Sequence, residues 1–319
     1  MRMLGFFALA TVPLLVACGS EATAPAGPAG HTAPSSNNPP RPPDVGVQFS
    51  PPVRVVMPGE QFYECYFTSL PSDVDIGTRR LASWMTTGSH HLVVYTTNKP
   101  TQPDGTFADC PDERVGSRED PPVWLYATQQ HESEFRTPSG VAIPLKAHQP
   151  LIFNMHYLNT TSSAMNMKVW LNVEYETAAF QKAGSYVTFD TQIAVPPNAT
   201  QVVSGNCNVP EGAKFFAMST HSHAHTVYAD AVKWRAGQPG DSLVKTTDWA
   251  HAAMVRWAVP PYMTFAPGEQ LHYECKYMNT TTVTVGVGNS SLTDEMCMAI
   301  GYYFPAAEGG TFCEDSTVR

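Results

Sequence analysis

The chain has 319 residues, 43% of them hydrophobic and only 15% charged, with 28 prolines and 22 glycines. That balance leaves room for two ordinary domains, each able to bury a core, and describes a turn-rich, strand-rich globular protein rather than a helical or disordered one. A formal charge of −9 leaves no basic stripe with which to displace counterions from phosphates, so nucleic acid is excluded as a partner.

The chain opens MRMLGFFALATVPLLVACGS. Arg2 leads into an apolar run from Leu4 to Val16, too short to cross a bilayer, and small residues follow. LVAC has the form of a bacterial lipobox, so residues 1–18 are expected to be a lipoprotein signal peptide that leaves Cys18 lipidated at the mature N-terminus. Gly19 after that cysteine favours the outer membrane of a Gram-negative cell. The expected location is therefore outside the cytoplasm, with the membrane contacted through the lipid anchor only. Residues 19–44, rich in Pro, Ala and Ser, read as a tether spanning roughly 25–30 Å at the flexible limit. Setting Cys18 aside from the seven cysteines leaves Cys65, Cys110, Cys207, Cys275, Cys297 and Cys313. An even number in an exported chain implies three disulfides, whose pairing the count leaves open.

From residue 45 onward, short apolar-alternating runs recur between turn signals. VRVVMPGEQFYECYF (53–67), HHLVVYTT (90–97), LIFNMHYLNTT (151–161) and KVWLNVEYET (168–177) come first. GSYVTFDTQIAV (184–195), KFFAMSTHSHAHTVYADAVKW (214–234), EQLHYECKYMNTTTVTVGVG (269–288) and MCMAIGYYF (296–304) follow. No segment holds a 3.6-residue apolar period over a dozen residues, so the expected fold class is all-β, built as antiparallel β-sandwiches. Two internal echoes suggest a pair of similar build. QPLIFNMHYLNTT (149–161) registers without a gap on EQLHYECKYMNTT (269–281), and PGEQFYEC (58–65) resembles PGEQLHYEC (267–275). Both cannot mark the same duplicated strand. The expected domains are 45–177 and 178–319, with AAFQKAG (178–184) at the junction. The sequons at Asn159, Asn198, Asn279 and Asn289 read as turn residues.

STHSHAHTVYAD (219–230) places His221, His223 and His225 at alternate positions, and a strand running through them would put all three imidazoles on one face. Such a face suits a transition metal better than a packed core. SHHLVVY adds His90 and His91, NMHYLN adds His156, and TDEMCMAIGYY adds Met296. These candidates sort by half: three imidazoles in the first, two imidazoles and a thioether in the second. Imidazoles alone suit Cu(II) or Zn, whereas a thioether favours Cu(I). Zinc has no use for the methionine and no second oxidation state, so the pair reads as two redox copper sites.

In order, spacing and wording, HHLVVY, MHYLN, HSHAH and DEMC resemble the motifs of the copper type II, ascorbate-dependent monooxygenases, over about residues 55 to 313. The resemblance implies two tandem jelly-roll-like sandwich domains facing each other across a copper-lined, solvent-filled cleft. It implies two coppers per chain. An electron-supplying copper falls to His90, His91 and His156; a second, where dioxygen and substrate react, falls to His221, His223 and Met296, which makes those three the catalytic set. The implied activity is hydroxylation of a small-molecule substrate C–H by O₂, each copper giving one electron and ascorbate or another one-electron reductant restoring both. The implied disulfides are Cys65–Cys110, Cys207–Cys313 and Cys275–Cys297. Ser219 and Ile300 depart from the arginine and tyrosine of the peptide-amidating members, so peptide amidation is not expected. Asn154 is expected to support His156 or a cleft water. His225 lies outside the family pattern and is placed at the cleft edge, while His131, His148, His251 and His272 are assigned structural or surface positions. The alternative of another class is a non-catalytic periplasmic or cell-surface copper storage or delivery lipoprotein.

Overall fold

The computed structural model describes residues 40–110, 122–307 and 310–318. The expected lipobox with Cys18, and the tether up to residue 39, lie outside them. Apart from one 3₁₀ turn at Trp249–His251, the regular elements among the described residues are strands, which makes the fold all-β. Among these residues no helix is long and apolar enough to cross a membrane.

The first strands are β1 (Gly46–Phe49), β2 (Arg54–Val56), β3 (Gln61–Ser69), β4 (Ile76–Met85), β5 (Ser89–Thr96) and β6 (Val123–Thr128). They continue with β7 (Glu132–Arg136), β8 (Val141–Leu145), β9 (Pro150–Leu158), β10 (Met165–Met167) and β11 (Val169–Glu176). The later strands begin with β12 (Gly184–Phe189), β13 (Ala194–Val195), β14 (Ala199–Asn208), β15 (Lys214–His221), β16 (Thr226–Arg235) and β17 (Gln238–Thr246). β18 (Met254–Arg256), β19 (Met263–Thr264), β20 (Glu269–Asn279), β21 (Val285–Gly286) and β22 (Met298–Phe304) complete that set, before two short strands at Thr311–Glu314 and Thr317–Val318.

Strand pairing shows that the two sets share one plan. In the first, a six-stranded sheet runs β1–β11–β4–β8 with β7 also on β4, and a five-stranded sheet contains the path β3–β9–β5–β6. In the second, a seven-stranded sheet contains β12–β22–β15 with β18 and β19 both on β15, and a four-stranded sheet runs β14–β20–β16–β17. The small ribbon β2–β10 is matched by β13–β21. Pairing changes sides at the junction: Gln181–Lys182 lies parallel on β8, and Gly184 opens β12.

This topology decides between the two sequence echoes. β9 and β20 occupy equivalent places, so the 149–161/269–281 echo marks corresponding strands; β3 corresponds to β14, so the other echo does not. The residues shared by the true echo form the frame. Leu151, Tyr157 and Asn159 are buried, as are Leu271, Tyr277 and Asn279. Asn159 donates through Nδ2 to the Val56 and Ser163 carbonyls and accepts at Oδ1 from Thr161 N and Oγ1. Asn279 repeats this with Val195, Pro196, Val283 and Thr281. Each side chain closes the turn after its strand and staples it to the neighbouring ribbon. Both asparagines are therefore turn residues, as their sequons suggested.

The disulfides join Cys65 to Cys110, Cys207 to Cys313 and Cys275 to Cys297, the pairs the resemblance implies. A second core lies between the four- and seven-stranded sheets, around Phe215, Tyr273 and Tyr277. The first core does not stop at the first sandwich. It runs on through Phe135, Phe216, Met298, Ile300, Tyr302 and Phe304, where the seven-stranded sheet meets the first sandwich. Phe135 and Tyr302 rings lie 4.3 Å apart, and Tyr302 Oη donates to the Leu125 carbonyl.

Replacing Asn279 with alanine removes the donor to three carbonyls, that of Val195 buried and the other two partly buried, and the acceptor of the Thr281 N–H and hydroxyl. The expected loss is about 3 kcal/mol of unfolding free energy in denaturant titrations, with a comparable loss for Asn159→Ala.

Candidate metal centre

The first group is built on β5 and β9. His156 pairs with His91 and, on the other side, with Tyr63 of β3, so the three side chains share one face. Between His156 and Tyr157 the register slips: Tyr157 pairs with Ser89, leaving His90 as the extra residue of a β-bulge. The bulge allows two consecutive histidines to turn toward the same group, which regular alternation forbids. His90, His91 and His156 each offer a ring nitrogen within 4.8 Å of the others. The Nε2–H of His91 donates to Asn154 Oδ1 (3.3 Å), while Asn154 Nδ2 donates to Tyr63 Oη (2.7 Å). That fixes the His91 tautomer and leaves its Nδ1 lone pair available. Asn154 thus supports His91 rather than His156. The Nδ1 atoms of His90 and His156 are buried with no hydrogen-bond partner among the described residues.

The second group departs from the expected regular strand. β15 ends at His221, and the chain turns at Ala224 and His225 before β16. The shared-face argument therefore fails beyond His221: a turn, not a strand, carries His223 and His225. Glu295 holds that turn. Fully buried, its carboxylate accepts from the backbone N–H of His223 (3.0 Å) and of His225 (2.6 Å), and from Thr226 Oγ1. His223 Nδ1–H donates to the Asp294 carbonyl, which leaves Nε2 free as a donor atom. The His221 and His223 rings stand 5.2 Å apart and nearly perpendicular. Met296 is buried next to Glu295; Tyr277 Oη donates to its carbonyl, and the Cys275–Cys297 disulfide anchors the following residue to β20. The His225 Nε2 is buried with no hydrogen-bond partner among the described residues.

The two groups are neighbours. His91 and His221 line one cavity of about 250 Å³ between the five- and seven-stranded sheets. The 3₁₀ turn before β18 carries Trp249 onto His90, with ring centroids 5.9 Å apart. Burial is the main force lowering the pKa of all five histidines, taking His156 and His221 to about 4. Mutual repulsion adds to it, His156 and then His90 acting on His91, His90 acting on His156 and His221, and His221 acting on His223. Neutral imidazoles with orphaned nitrogens are the state a metal ion requires, so the donor set fits one ion in the first half. His221, His223 and the Met296 thioether offer a softer set in the second.

Sequence reasoning missed Glu295, although it stands inside DEMC, because the motif was read for its methionine alone. Trp249 carried no signal, since its contact with His90 joins distant segments.

Residues 181–318 match the family model described as copper type II ascorbate-dependent monooxygenase, C-terminal domain. That span holds His221, His223 and Met296 but not the first group. The chain is 24% identical over 280 residues to tyramine beta-hydroxylase of Caenorhabditis briggsae, covering 78% of this chain and 46% of that protein. It is 23% identical over 245 residues to DBH-like monooxygenase protein 2 of Homo sapiens, covering 68% and 47%. The chain thus spans about half the length of the curated relatives it matches. Among solved structures, PNGase F, a glycosylasparaginase from Flavobacterium meningosepticum, superposes with a TM-score of 0.37 at 10% identity, covering 82% of this chain and 95% of that one. At that score the likeness carries nothing about function.

Two outcomes are expected of the metal-free protein. Unfolded histidines take protons near 6.5, but His156 and His221 in the folded chain wait until about 4. Stability is therefore present above 6.5 and lost as pH falls toward 4. Glu295 runs the opposite way, its carboxyl raised to about 7 by burial, so its share is lost as pH rises from 4.5 to 7. The histidines outweigh the single carboxyl, and calorimetry is expected to show Tm falling on acidification across this window. Glu295→Gln sets an NH₂ against a backbone N–H and is expected to cost about 2–3 kcal/mol in unfolding titrations.

Proposed function

We propose that this chain is a copper-dependent monooxygenase of the copper type II, ascorbate-dependent family, exported and lipid-anchored through Cys18. In this reading the domains are 45–177 and 178–319; strand pairing passes from the first sandwich to the second a few residues later, between Lys182 and Gly184. The observation that carries it is the cluster of His90, His91 and His156, with the Nδ1 atoms of His90 and His156 left unpartnered among the described residues, whose His91 shares one cavity with His221 of the second, softer set of His221, His223 and Met296. The match over 181–318 and the two curated relatives support the same reading.

Copper bound at the two sets would supply one electron from each toward reduction of O₂ and insertion of one oxygen atom into a substrate C–H, with ascorbate or another one-electron reductant restoring it. The chain's own residues prepare that chemistry. Asn154 and the Asp294 carbonyl each hold an imidazole in the tautomer that presents a free nitrogen. Glu295 holds the His223 turn beside the segment that carries Met296, which supports reading the thioether and the two imidazoles as one donor set. The cavity shared by His91 and His221 lies between the two sheets, where a small-molecule substrate would sit.

Copper per chain is the measurement that tests the assignment. Two equivalents are expected in the wild type, and one each in His156→Ala and Met296→Ile, with different EPR signals lost. Ascorbate-driven O₂ consumption is expected only where both remain. Two coppers without such consumption would favour a storage or delivery lipoprotein, and a stoichiometry unmoved by either change would break the ligand mapping.

A further inference from the structure

A second and larger cavity, of about 600 Å³, opens where the chain passes from the first sandwich to the second. The linker forms one of its walls. Gln181 and Lys182 lie parallel on Val141 and Ala142 of β8, and the N–H groups of Gln181 and Ala183 donate to the Gly140 and Ala142 carbonyls. The Lys182 carbonyl accepts from the N–H of Ala306, just beyond β22, so the wall is pinned to both sandwiches. Phe180 packs into the space that Gly77 leaves by lacking a side chain; a Cβ there would collide with the Phe180 ring. Ser185 of β12 and Gly310 complete the lining from the second sandwich.

The floor is apolar. Trp124, Leu125, Ile143, Leu145 and Ala183 line it, and all five are buried. Polar groups beside them are committed to the backbone. Gln149 Nε2 donates to the Thr97 carbonyl (2.6 Å), its Oε1 accepts from the Lys146 N–H (3.1 Å), and Thr97 Oγ1 donates to the Lys99 carbonyl. Charge is confined to the rim. Lys146 after β8 and Lys182 of the linker, both exposed, bring two ammonium groups to it. Asp75 is the acidic residue among the described lining, and one of its oxygens already accepts from the Ala147 N–H (2.9 Å).

We infer that this cavity is a second ligand site, and that it takes a small amphipathic carboxylate of up to on the order of twenty non-hydrogen atoms. The apolar body lies on the floor at Trp124, and the anionic head meets the rim at Lys146 and Lys182. Burying the body supplies most of the affinity. The rim sets the sign of charge, since pairing of an ammonium with a carboxylate favours the anion over neutral and cationic analogues of the same shape. Trp124 also lines the cavity shared by His91 and His221, but among the described lining Thr96, Lys146 and Lys182 belong to this cavity alone. Binding here requires neither copper nor the monooxygenase reading.

Affinity is measured by calorimetry and saturation-transfer NMR on the copper-free full-length chain in a non-ionic detergent, with 2-naphthoate, 2-naphthamide and 2-naphthylmethylammonium as probes. The carboxylate is expected to bind at least five-fold more tightly than the amide and ten-fold more tightly than the ammonium. Lys146→Glu combined with Lys182→Glu is expected to weaken the carboxylate ten-fold or more and to leave the amide within two-fold. Thr96→Trp on β5 and Pro144→Trp on β8, each filling the cavity, are expected to weaken all three probes. The two lysines are exposed, so their replacement keeps the site testable if neither tryptophan variant folds. No binding of 2-naphthoate, preferences below these factors, a smaller response to the lysine changes, or affinity unmoved in the tryptophan variants that fold overturns the inference. With copper absent, this result and the copper stoichiometry fail independently: loss of the first leaves the metal assignment standing, and loss of the second leaves the ligand site standing.

Discussion

Two of the sheets have a strand buried on both faces, and the rest of the structure follows from covering them. Along β9 every residue from Leu151 to Tyr157 is buried, and along β22 every residue from Met298 to Phe304. Each of these strands has one face in its own sandwich and a second face that water cannot be allowed to reach. The second faces cover each other. Phe135, from the strand beside β4, packs there on Phe216 and Tyr302, and Tyr302 Oη bonds the Leu125 carbonyl of the five-stranded sheet. Side chains that would otherwise point to solvent, His91 on one sheet and His221 on the other, are thereby brought to a common cavity.

The framework is repeated and the chemistry is not. β9 and β20 share their buried leucine, tyrosine and turn asparagine, because the same sandwich needs the same pegs in the same places. On the other face they diverge according to what lies beyond. The four-stranded sheet turns that face of β20 outward, and Glu274, Lys276 and Met278 are partly or fully exposed; the corresponding face of β9 meets the second sandwich and carries Ile152, Asn154 and His156, all buried. His156 thus stands where the repeat has Lys276. The donor groups also depend on interruptions of regular pairing: the bulge at His90, the end of β15 at His221, and the segment before β22 that carries Met296. Regular strands send neighbours to opposite faces, so adjacent histidines converge only where the ladder breaks.

Glu295 shows how such a break is stabilised. A turn entering a buried region leaves N–H groups unpaired, and a single carboxylate satisfies those of His223 and His225 at once. Because it sits beside Met296, the same residue ties the histidine turn to the thioether segment. The burial that lifts its carboxyl to about 7 also keeps the neighbouring imidazoles neutral, so one low-dielectric environment acts on both.

Strand-length apolar runs and the lack of a helical period made the all-β class legible, and the spacing of HH, MHY, HSH and DEMC separated two donor sets of unlike softness. These are local properties, carried by neighbours along the chain. The alternation of His221, His223 and His225 misled, because alternation implies a shared face only while a strand continues, and where it stops depends on an acceptor seventy residues away in sequence. The same holds for Trp249 against His90 and for the choice between the two echoes. The sequence by itself determined the strands, the turn asparagines and the donor types. Tertiary structure alone decided which faces meet, which charges are already partnered and which nitrogens are left without a partner, since those depend on groups that become neighbours only when the two sandwiches close on each other.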